Sequence, residues 1–172
     1  MKQGVKFGVI YGVVVSVLML VLYLVNKEYV VSAGLNLVLT LVIGTAILIM
    51  TGRAAKVDNG GFLPFGEAFV SLLVCFAVGS FITTIFTLVL YNMIDPSLQD
   101  LLKEKQIEMA EFLANLFGGS VNEDQLDEMR EALDETDVSS FSTMIVNWLT
   151  GTLMGAVYCL IIAAFVKKNP TL

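Results

Sequence analysis

Four stretches of this chain carry no charged residue, and each is long enough to cross a bilayer. They run from Phe7 to Asn26, Tyr29 to Gly52, Ala68 to Ile94 and Val138 to Val166, or 20, 24, 27 and 29 residues. A membrane helix needs about 20 apolar residues to cross the hydrocarbon layer. Inside lipid every backbone N–H and C=O must be satisfied within the protein, which leaves only helices or closed barrels. Barrel strands are about ten residues of alternating polarity, whereas these runs are continuously apolar. The expected fold is an all-α integral membrane protein, one domain over residues 1–172. Its four transmembrane helices fall at about 7–26, 29–52, 66–94 and 139–166. Composition agrees, with 56% hydrophobic and 15% charged residues and a mean hydropathy of +0.81, which is not that of an ordinary soluble domain. The first run, preceded by Lys2 and Lys6, is read as a retained span. It is longer than the core of a secretory signal, typically about 7 to 15 residues.

Lys and Arg near span ends favour the cytoplasmic side. Lys2 and Lys6 precede the first span, Arg53 and Lys56 lie between the second and third, and Lys167 and Lys168 follow the fourth. A four-span chain brings these three places to one side. Both termini are therefore expected in the cytoplasm.

The connection between the third and fourth spans, residues 95–137, holds 13 of the 16 acidic residues and 3 of the 10 basic ones, a net charge of 3 − 13 = −10. It is expected outside the cytoplasm as an acidic helical hairpin. Asp95 and Pro96 have the character of a helix start, and Gly118 and Gly119 that of a stop. A second helix begins with Ser120 and Glu123 in capping-box spacing and continues through Leu126, Met129 and Leu133. The hairpin packs on itself or over the span ends, or else docks a partner through Met109, Phe112 and Leu116. Its negative charge argues against lying flat on anionic lipid.

Small residues mark where spans approach each other. Gly4, Gly8, Gly12 and Ser16 recur every four residues, as do Asn147, Gly151, Gly155 and Cys159. Such stripes let helix backbones come close where burial against lipid gains nothing. The third span adds Ser80, Thr83, Thr84 and Thr87, hydroxyls that serve as packing groups or, with Asn147, line a polar path.

Residues suited to catalysis are scarce. The chain has no histidine, and neither Asp nor Glu occurs in the central part of any span, where ionisable groups mark pumps and membrane enzymes. Cys75 and Cys159 supply half of a zinc site at most. No enzyme activity, cofactor or metal is expected. Glu67 belongs to an interfacial turn, Gly60, Gly61, Pro64 and Glu67. There Pro64 opens the third span and the carboxylate meets the positive end of the helix dipole. A functional role for Glu67 would require Arg53 or Lys56 as its cationic partner.

Four segments together, "GVKFGVIYGVVVSVLMLVLYLV", "NGGFLPFGEAF", "TIFTLVLYNMIDPSLQDLL" and "AAFVKKNP", carry a resemblance over essentially the whole chain. The sequence resembles a family of short four-span bacterial membrane proteins, common in Bacteroidota and catalogued as a domain of unknown function. The resemblance implies a long acidic segment between spans three and four, and no catalytic residue. It also implies an accessory role, because members are often encoded beside glycosyltransferases of the polyprenyl-phosphate type. The functional expectation is a non-enzymatic accessory, assembly or scaffold subunit in the lipid bilayer. It packs with a membrane protein partner or as a homo-oligomer, without nucleic acid. The alternative is a small channel or transporter with a path lined by Ser80, Thr83, Thr87 and Asn147.

Overall fold

The computed structural model describes residues 2–116, 127–128, 131–133 and 140–168. In chain order the helices are α1 (Lys2–Val25), α2 (Lys27–Val31), α3 (Ala33–Asp58), α4 (Phe65–Val89), α5 (Leu98–Leu116) and α6 (Phe141–Val166). A π-helical turn, Leu90–Ile94, prolongs α4. The protein is an all-α multi-pass membrane protein. α1, α3, α4 with its π turn, and α6 are each long and apolar enough to cross a membrane, with mean hydropathies of 2.1 to 2.6.

Helix boundaries follow local chemistry and depart slightly from the charge-free runs. α1 starts at Lys2 rather than near Phe7, because lysines at a span end can extend their ammonium groups to water while the backbone stays helical. Residues 29–31 do not open the second span. They belong to α2, which Asn26 caps by accepting the Glu28 N–H at 2.9 Å. Ser32 then breaks the helix and caps α3. α3 runs past Gly52 to Asp58 and ends at Gly60 and Gly61, both with positive φ (68° and 95°). The Gly61 N–H reaches back to the Lys56 carbonyl at 2.9 Å, a helix stop that glycine makes without steric cost. Pro64 caps α4, and Ser140 caps α6 by accepting the Thr143 N–H at 3.2 Å.

α4 is the central helix and packs against α1, α3 and α6. One buried cluster, including Tyr11, Leu48, Leu72, Cys75 and Cys159, fills the half of the bundle near the 59–64 turn. A second, built from Val30, Val31, Leu90, Tyr91, Leu98 and Met144, fills the opposite end. The first end is tied across the chain. Leu63 and Lys168 form an antiparallel bridge with bonds of 2.8 and 2.9 Å, and Gln3 donates to Asp58 at 2.7 Å. The second end carries α2, Asp95 and α5, and α5 lies over the span ends against α2 and α3.

Candidate functional site

Three features stand out: a glycine seam and a polar cleft formed by expected residues, and a clamp on the acidic helix that the sequence did not mark. The seam joins α1 and α4. A Cβ at Gly4 would stand 2.5 Å from the Ser71 carbonyl oxygen, at Gly8 2.8 Å from that of Cys75, and at Gly12 2.8 Å from that of Gly79. Each step of four on α1 matches a step of four on α4, so the two helices run parallel, as a first and a third span must. Tyr11 fills the space over Gly79, where a Cβ would come within 2.1 Å of its ring. Ser16 continues the stripe and is buried, without a hydrogen-bond partner for its Oγ among the described residues.

The α4 side of this seam, Ser71, Cys75 and Gly79, also has small residues at four-residue spacing, a pattern as readable as that of α1. Gly52 is a further close approach, where a Cβ would stand 2.3 Å from the Val166 side chain. On α6 the stripe divides. A Cβ at Gly155 would lie 2.1 Å from the Phe76 ring, whereas nothing lies within 4 Å of one at Gly151. Among the described residues nothing packs against Gly151, which forms part of a cleft wall.

That cleft, about 370 Å³, lies between α4 and α6 and reaches Tyr91 and Leu102 at its upper end. Ser80, Thr83, Thr84, Thr87, Asn147 and Gly151 all line it. Thr83 and Thr87 donate to carbonyls one turn back, at 3.1 and 2.9 Å. This is the usual way a hydroxyl is satisfied inside a span. Ser80 donates to Ala77 at 3.2 Å and accepts from Trp148 Nε1 at 3.1 Å. The Trp148 ring stands edge-on to Phe81 at 5.2 Å. Thr84 and Asn147 make no hydrogen bond among the described residues. Asn147 and Gly151 are exposed, so the cleft opens on the helix flank.

The clamp centres on Asp95. Its carboxylate pairs with Lys27, accepts the Tyr23 hydroxyl at 3.1 Å, and accepts the Ser97 hydroxyl and N–H at 2.6 and 3.2 Å. These partners, Lys27 first and Ser97 next, hold its pKa down at about 2. Charge-assisted bonds of this kind are stronger than neutral ones. Its own N–H closes the π turn onto Leu90 at 2.8 Å. Asp95 therefore joins three elements that the sequence separates: the end of α1, the start of α2 and the start of α5. Leu98, Leu90, Tyr91 and Val30 pack beneath it.

The remaining expected residues are placed as follows. Met109 of α5 turns toward α2 and α3, lining hollows with Tyr29, Ala33 and Asn36. Phe112 shares the first of these hollows with Met109 and is 61% exposed. Leu116 ends α5. Of the second hairpin helix, Ser120, Glu123, Leu126 and Met129 lie outside the described residues. Glu67 accepts from Asn59 at 2.5 Å and forms no ion pair with Arg53 or Lys56 among the described residues. Cys75 and Cys159 are buried free thiols, and Thr51 donates to the Cys75 sulfur at 3.3 Å.

The family model described as "Protein of unknown function (DUF4199)" matches residues 6–168. The chain belongs to this family. No curated protein and no solved structure matches it. The family match takes in the cleft, the clamp and the interfacial turn, together with all of the glycine seam except Gly4.

Proposed function

We propose that this DUF4199 member is a non-enzymatic accessory or assembly subunit of the bacterial inner membrane. It presents its acidic segment, residues 95–137, on the outer side and keeps both termini in the cytoplasm. It packs with a membrane protein partner, for which a polyprenyl-phosphate-type glycosyltransferase is the candidate, or with a second copy of itself. The observation that carries this reading is the clamp on α5. Asp95 with Lys27, Tyr23 and Ser97, over a buried apolar cluster, holds an acidic helix in a set orientation above the spans. A connecting segment without such a role would need no fixed orientation, whereas a docking surface does, because pre-ordering lowers the entropic cost of association. The orientation is supported by Lys2, Lys6, Arg53, Lys56, Lys167 and Lys168, which share the end of the bundle tied by the Leu63–Lys168 bridge.

The test is affinity purification from native membranes in mild detergent through a tag after α6, with mass spectrometry of what is retained. One stoichiometric membrane partner, or a defined homo-oligomer, is expected, and Asp95→Asn should weaken it by freeing α5. A wild-type chain that elutes as a lone monomer would overturn the proposal.

A further inference from the structure

The α4–α6 cleft has a chemistry that selects a class of ligand, independently of the subunit role. Thr84 and Asn147 offer a hydroxyl and an amide that make no hydrogen bond among the described residues, and both lie well inside the membrane-spanning length. Asn147 stands six residues into α6 and Thr84 ten residues before the end of the π turn, about 9 and 15 Å along their helices. On the lipid-facing flank the hydrocarbon offers them no hydrogen-bond partner. A partner for these groups must itself both donate and accept.

Charge narrows the choice. None of the residues lining the cleft is Lys, Arg, Asp or Glu, so a phosphate or an ammonium would sit there in a low-dielectric medium without a counter-charge. Ser80, Thr83 and Thr87 donate their hydroxyl protons to backbone carbonyls, and Phe76, Leu102, Met144 and the Trp148 ring make the apolar part of the wall. A volume of about 370 Å³ equals that of roughly a dozen waters, enough for a lipid head and too little for whole acyl chains. Because the cleft opens on the helix flank, those chains can stay in the bilayer. We infer that the cleft binds the neutral, hydroxyl-bearing head of an amphiphile, the chemistry shared by a diacylglycerol and a long-chain alcohol. Asn147 and Thr84 bond the head, and Trp148 lies against its first carbons.

Trp148 is the single tryptophan of the chain, so its fluorescence reports on this cleft. The full-length protein in phosphatidylcholine nanodiscs is titrated with three probes brominated near the head: a diacylglycerol, a long-chain alcohol and a phosphatidylglycerol. One or both neutral probes should quench saturably, while the anionic lipid quenches only in proportion to its abundance. Saturation by the diacylglycerol alone assigns the site to a glycerol ester, and saturation by the alcohol assigns it to a bare hydroxyl. Thr84→Val with Asn147→Leu should weaken the saturable component at least tenfold without shifting the melting temperature. If that pair lowers the melting temperature, Gly151→Leu replaces it, since its Cβ meets nothing within 4 Å and its side chain would fill the cleft. Quenching proportional to abundance for all three probes, preference for the anionic lipid, or saturation that survives in a folded variant would each overturn the inference.

Discussion

Two glycines that look alike in the sequence differ in what surrounds them. At Gly8 a new Cβ would come 2.8 Å from a backbone oxygen of α4, and backbone cannot move aside as a side-chain tip can. Gly8→Leu should therefore destabilise the bundle by about 1–3 kcal/mol, the range for overpacking. Gly151→Leu should stay within about 0.5 kcal/mol, as substitutions away from packed features do. Unfolding of both variants by steric trapping in bicelles checks the contrast. Spacing by four was legible in both stripes, but it locates a face and not what lies opposite. Gly155 faces an aromatic ring, Gly151 faces a cleft, and only the positions of α4 and α6 distinguish them. Gly79 was legible as the third member of the stripe Ser71, Cys75 and Gly79, whereas Gly52 belongs to no such stripe, although an isolated glycine within a helix often has a packing reason.

Among the elements, α5 shows how a contact between distant residues sets the place of a helix. Asp95 has its pKa lowered from 3.8 to about 2, first by Lys27 and next by Ser97, so its contribution to docking is complete above pH 3.8 and is lost as pH falls toward 2. Lys27 is raised above 10.5 by the same pair, so its contribution holds below 10.5 and fades only above its raised value. Docking of α5 should accordingly be flat across the neutral range and release in acid. Hydrogen exchange of the α5 amides against pH would show this as protection lost below about pH 3. Asp95→Asn should exchange faster at pH 7 and lose that acid step. The four spans were legible because charge is excluded from hydrocarbon, and the start of α5 was legible from Asp95 and Pro96. The clamp was not, because Tyr23 and Asp95 lie 72 positions apart. Nothing in either local pattern names the other. The short α2 and its break at Ser32 were hidden for a different reason, since residues 29–31 continue an apolar run and only the capping hydroxyl marks the interruption.

For the molecule as a whole, the two ends of the bundle differ in charge, and that difference makes the orientation testable. Single cysteines in place of Lys168, beside the Leu63 bridge, and of Gln106, exposed on α5, should react with an impermeant maleimide from opposite faces. The Gln106 site should label in intact spheroplasts and the Lys168 site only after lysis. The native Cys75 and Cys159 are buried and should give little background. The closest helix pairing, the seam of Gly4, Gly8 and Gly12, joins the first span to the third and not to its neighbour in sequence. During synthesis the first span therefore enters the membrane before the surface it matches has been made. At roughly 5–20 residues per second, the 64 residues from Val25 to Val89 take about 3 to 13 s. For that interval a face of bare glycine backbone is open to any other helix in the membrane, so the nascent chain is at its most promiscuous before its third span arrives.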